Sequence, residues 1–185
     1  MAEPKHRYST VSLVFHWGLA LLVLIQVLLI TAKEASEGPV ASEFLMLHKS
    51  LGLTILVLTL ARIGWRIANP AIPLPAETPR WQKITARVTH VLFYVLLIGL
   101  PLGGWAASSA SPRQIPIEWF GLFHWPMLPL PLDRDLASAF MAAHEAGVKV
   151  LYVLLALHVL GALKHQFIDR DNVLRRMIPV IPRRP

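Results

Sequence analysis

Residues 138–164 read SAFMAAHEAGVKVLYVLLALHVLGALK, an apolar run carrying two histidines, His144 and His158. Fourteen residues along an α-helix make almost four turns, about 21 Å of rise and about 40° from alignment around the axis. Both imidazoles therefore leave one side of a single helix at two heights. The hydrocarbon core of a bilayer is about 30 Å thick, so a helix crossing it sets one histidine in each leaflet. Ionisable side chains at such depths are costly and usually functional.

Working outward, the chain of 185 residues is 55% hydrophobic and 16% charged, with a mean hydropathy of +0.52, well on the apolar side of a soluble domain. These values describe one integral membrane domain covering 1–185. A net charge of +7 would suit nucleic acid, but the basic residues stand in short segments between apolar runs, where orientation in the membrane explains them and no nucleic-acid partner is expected. The chain has no cysteine. Disulfides, covalently attached haem and thiolate-held iron–sulfur clusters are excluded, which leaves histidine as the main strong metal ligand.

Four segments are long enough to span: about 11–32, 44–65, 86–108 and 138–164. The first follows Lys5 and Arg7 as a signal peptide would, but its apolar run is too long for one and no cleavage-type motif follows, so it reads as a retained span. Arginine and lysine crowd the N-terminal tail, the connection from Arg62 to Arg87 and the tail from Lys164 to Arg184, while the other two connections are poorer in them. By the positive-inside rule both termini are cytoplasmic. The stretch 109–137, proline-broken through IPIEWFGLFHWPMLPLPL, is too interrupted to span and is expected to lie at the membrane interface on the outer side. Pro101 followed by Gly103-Gly104 predicts a kink or break in the third span.

On this topology the histidines pair by depth. His16 enters the first span from inside and His158 lies near the inner end of the fourth; His48 and His144 both enter from outside. Any one of them alone reads as well as a polar helix–helix contact. Two imidazoles facing each other from different helices at one depth form a cradle for the flat macrocycle of a b-type haem, one nitrogen on each axial face of the iron. Small residues near the ligands, Gly18, Gly52, Gly147 and Gly161, would let a macrocycle approach the backbone.

The pair His16-Trp17, His48 opening the second span, the exit ARIGWRIANP, the third span THVLFYVLLIGLPLGGW and the fourth, AHEAG and LHVLGALKHQFIDRDNVLRRM, together resemble the bacterial cytochrome b561 family over nearly the whole chain, least between Ala106 and Ala137. The resemblance implies an all-α four-transmembrane-helix bundle in the bacterial inner membrane holding two non-covalent b haems. It implies His16, His48, His144 and His158 as axial ligands, paired His48 with His144 and His16 with His158. It also implies oxidation of superoxide at the periplasmic side with transfer of electrons to ubiquinone.

Both ends of such an electron path carry candidates. At the outer end Lys49 and Lys149 either neutralise haem propionates or draw a small anion toward the haem edge. At the inner end His165 follows His158 by two turns, and His90 sits at the depth of His16. Both are candidates for a quinone and proton site, as is Lys164. His165 reads equally as a headgroup or propionate contact, and His90 as a helix–helix hydrogen bond. Arg62 and Arg66 are expected to pair with propionates or phospholipid. The function expected is transmembrane electron transfer from superoxide to ubiquinone. One alternative is an electron-transfer subunit shuttling electrons between the quinone pool and a periplasmic partner docked on 106–137. A remote one is a histidine-lined metal or proton transporter without haem.

Overall fold

The computed structural model describes residues 7–178; Lys5, His6, Arg183 and Arg184 lie outside the described residues. Four long helices account for most of it: α1 (Thr10–Glu34), α2 (Gly38–Ala68), α3 (Arg80–Ala110) and α4 (Arg134–Phe167). The shortest has 25 residues, about 37 Å at helical rise and so longer than the hydrocarbon core. All four are apolar enough to cross a membrane. Their outward faces agree: Leu21, Leu24 and Leu28 on α1 and Val153, Leu157 and Leu160 on α4 are each more than half exposed, a surface suited to lipid.

Local chemistry starts and stops these helices. Ser9 caps α1 by accepting from the Ser12 amide, and Asp133 caps α4 by accepting from Asp135 and Leu136 at 2.7 and 2.9 Å. Gly38 at φ 58° turns the chain out of α1, and Pro39 occupies the first turn of α2. Helix α3 runs through Pro101 without interruption, so the expected break is absent.

Helix α2 is the central post. It packs on α1 through Leu19, Leu51 and Ile55, and its stretch from Ser50 to Leu56 contains most of the helix's own buried residues. It also packs against α3, and α3 packs closely on α4. Helix α4, by contrast, has no comparable packing on α1 or α2 among the described residues, so a gap runs along its length.

The connection between α3 and α4 holds a hairpin that its residue types conceal. Strands β1 (Ile117–Trp119) and β2 (Phe123–Trp125) pair antiparallel, with Glu118 opposite His124. Their turn places Phe120 at φ 50° and Gly121 at φ 71°, and a phenylalanine is an uncommon occupant of the left-handed region. Buried Ser50 of α2 holds it there, accepting from the Phe120 amide at 3.1 Å and donating to the Glu118 carbonyl at 2.8 Å. Trp119 adds an indole hydrogen bond to Thr54 at 3.1 Å, and Trp105 one to the Pro126 carbonyl at 2.9 Å. The hairpin is thereby tied to the end of α2 that carries His48.

Candidate functional site

Helical geometry places the four histidines at two levels along the gap beside α4. His48 and His144 each lie ten residues past the first residue of their helices, Gly38 and Arg134, and meet with ring centres 6.3 Å apart. His16 of α1 and His158 of α4 meet at the other level, also at 6.3 Å. A metal–imidazole bond is about 2 Å and the ligating nitrogen stands about 1.1 Å from its ring centre, so imidazoles on opposite faces of one iron hold their centres about 6 Å apart. Both pairs have that spacing, and both bridge the gap where α4 stands off its neighbours.

The atoms around each ring fit the same role unequally. His144 Nδ1 lies 2.9 Å from the Leu100 carbonyl, which can only accept, so Nε2 is left with the lone pair a metal needs. Gly103 and Gly104 make room for this ring: a Cβ on Gly104 would lie 3.4 Å from His144 Nδ1. His48 Nδ1 is buried without a hydrogen-bond partner, while its carbonyl accepts from Gln26 at 2.8 Å. At the level of His16 the His158 ring meets His90 and Phe93 edge to face at 5.5 and 5.3 Å. His16 Nδ1 lies 3.3 Å from a guanidinium nitrogen of Arg62.

The remaining candidates divide. Arg62 thus stands against a histidine and the Phe15 carbonyl, at 3.4 Å, and beside the Tyr94 ring. Arg66 covers the ring of Tyr8 at 5.4 Å. Gly18 and Gly161 have open space where a side chain would begin. Gly52 faces Gln26, and Gly147 faces Leu100 so closely that a Cβ would come within 2.7 Å of Leu100 Cδ2, a helix–helix contact between α3 and α4. Lys49, half-buried, and Lys149, exposed, have no ion-pair partner among the described residues. The groove between α2 and the hairpin carries the carboxylates of Glu43 and Glu118 instead.

At the C-terminal end of α4, Lys164 binds both carboxylate oxygens of Asp169 at 2.6 and 2.7 Å. His165 meets Asp171 at 2.7 Å. His90 directs Nδ1 to the Ala86 carbonyl at 2.6 Å. Sequence reasoning passed over Asp171 because it follows the end of α4, where no helical period relates it to His165. The repeated acid in Asp169-Arg170-Asp171 was the available signal.

Four membrane-length helices with histidine pairs of this spacing define a haem-binding helical membrane bundle. A profile of the family described as prokaryotic cytochrome b561 matches residues 7–180. The chain belongs to that family, which makes it a multi-pass bacterial membrane protein of redox electron transfer and implies b-type haem. It is 33% identical over 184 residues to cytochrome b561 homolog 2 of Escherichia coli, covering 95% of this chain and 93% of that one. It is 32% identical over 178 residues to the probable superoxide oxidase CybB of Yersinia pestis, covering 94% and 96%. Cytochrome b562 of Cereibacter sphaeroides is 28% identical over 177 residues, covering 92% and 94%.

Proposed function

We propose that this chain is a superoxide:ubiquinone oxidoreductase of the bacterial inner membrane, with both termini cytoplasmic, carrying electrons across the bilayer on two b haems. The observation that carries the reading is the pair of equal 6.3 Å histidine spacings at two levels of one gap. His48 and His144 hold the outer haem, His16 and His158 the inner. A bis-histidine haem, when bound, supplies a one-electron iron couple reached at the macrocycle edge, with no iron position left for oxygen. The balance is two superoxide plus one ubiquinone plus two protons giving two dioxygen and one ubiquinol.

The chain's own groups serve the two ends differently. Lys49 and Lys149, free of carboxylate partners among the described residues, raise the local concentration of a small anion at the outer end. The half-buried carboxylate-paired His165, and His90, which lies edge to face with the His158 ring, offer ring nitrogens for a quinone carbonyl at the inner end. The 32% identity to a protein named as a probable superoxide oxidase supports the choice of electron donor.

A pyridine-haemochrome assay on the purified protein, followed by superoxide and then a soluble ubiquinone in the same cuvette, tests this. Two b haems per chain, reduced by superoxide and reoxidised by ubiquinone, are expected. Haems indifferent to superoxide but reduced by quinol would make the chain an electron-transfer subunit for a separate partner, and a colourless protein would remove both readings.

A further inference from the structure

The turn that ends α4 is folded around one imidazole. Past Phe167 the chain reverses: the amides of Ile168 and Asp169 both return to the Lys164 carbonyl, and Arg170 takes φ 53°. The Asp171 amide then donates to the His165 carbonyl at 3.2 Å. This wrap delivers Asp171 Oδ2 to 2.7 Å from His165 Nδ1, while Oδ1 accepts from the Val173 amide at 2.9 Å. Both carboxylate oxygens are engaged, so the side chain has little freedom to leave the ring.

We propose that Asp171 is a positioning residue that fixes His165 as the proton donor to ubiquinone at the inner end, an inference that rests on the function proposed above. An ionised carboxylate only accepts, so the proton facing it is on Nδ1 and the exchanging position is Nε2, on the opposite edge of the ring. Ubiquinone takes up two electrons, supplied by two superoxide ions, and two protons. His165 gives each proton from Nε2–H to a quinone oxygen, is left neutral with its proton on Nδ1, and regains the next at Nε2 from water.

Charge and exposure suit this use. The side chains of His165, Asp171, Asp169 and Lys164 are 14%, 21%, 28% and 34% exposed, a graded path from ring to solvent. Asp169 also reaches His165 Nδ1, at 3.4 Å, but both its oxygens are held by Lys164. With the ring doubly protonated the four groups sum to zero charge; with it neutral they carry one negative charge. The same histidine and two carboxylates have the donor types of a metal site, yet the ammonium on Asp169 already occupies the place a cation would take.

The test is Asp171→Asn in the haem-loaded protein. The amide preserves shape, but its NH2 donates toward Nδ1 and turns the ring to the other tautomer, as a carboxylate-to-amide change beside a catalytic histidine does. Rapid mixing of the reduced protein with soluble ubiquinone should show kcat about 10–100-fold lower with KM within about twofold, and a larger solvent deuterium isotope effect. Reduction by superoxide at the far end should keep its wild-type rate. Wild-type kcat and isotope effect in the variant would overturn the inference alone. A wild-type chain that superoxide reduces but ubiquinone does not reoxidise would overturn the quinone reading and this inference with it. If Asp171→Asn fails to hold haem, Asp171→Glu carries the test by displacing the carboxylate: lowered kcat with a raised isotope effect supports the inference, and unchanged kinetics overturn it.

Discussion

The His144 ring is anchored to the Leu100 carbonyl at 2.9 Å, whereas Nδ1 of the facing His48 is buried with no hydrogen bond. The outer pair therefore joins one ring whose tautomer is set by backbone to one that nothing orients through its second nitrogen. Each pair draws on a separate set of side chains, so the two should fail separately. His48→Ala or His144→Ala is expected to leave one b haem per chain by pyridine haemochrome. His16→Ala or His158→Ala should also leave one, with a different reduced-minus-oxidised spectrum. Loss of both haems from a single outer substitution would contradict independent sites.

Arg62 makes the inner pair different in kind. A guanidinium only donates, so its contact at 3.3 Å uses the lone pair of His16 Nδ1 and leaves the proton on Nε2. Iron bound at Nε2 requires the proton on Nδ1, and the contact must then be given up. A guanidinium remaining near a bound haem would favour the reduced iron. Arg62→Gln is expected to lower the inner haem's midpoint potential on the order of 50 mV in a redox titration, with Arg62→Lys falling between.

Lys49 and Lys149 carry the expectation for the outer end. Replacing both by glutamine should slow haem reduction by superoxide about tenfold at low ionic strength and flatten its salt dependence, because steering by local charge is screened by salt. Equal rates for variant and parent at every ionic strength would leave these lysines without a part in capture.

Ser50 is 1% exposed and satisfies two backbone groups of the hairpin turn. Ser50→Ala leaves the Phe120 amide and Glu118 carbonyl without that partner, at a cost of about 1–3 kcal/mol. The expected readouts are a lower Tm in detergent and new proteolytic cleavage between Trp119 and Phe123. Asn in place of Phe120, a residue that accepts positive φ, should offset part of the loss.

The four spans were legible because apolar length is a local property that a bilayer reads directly. The facing of His48 with His144 and of His16 with His158 was legible for a related reason: helical rise converts sequence position into depth. The hairpin was not, since Phe120-Gly121 lacks the asparagine or aspartate that usually announces such a turn, and its support comes from Ser50 on another element. The uninterrupted α3 shows that Pro101 removes one donor without ending a helix packed on α4. Arg62 against His16 and Asp171 against His165 depend on tertiary approach and on a chain reversal, neither of which leaves a periodic trace.

Helices α1 and α2 form one antiparallel hairpin, α3 and α4 another, joined among the described residues chiefly by α2 on α3. Each hairpin can enter the membrane by itself during synthesis, ahead of any side-by-side assembly. A haem held, as proposed, between α4 and the first hairpin would act as a rivet fitted after insertion. Cells short of haem would accumulate two halves joined without that rivet, a target for membrane proteolysis, so the abundance of this protein should follow haem supply even when its transcription does not.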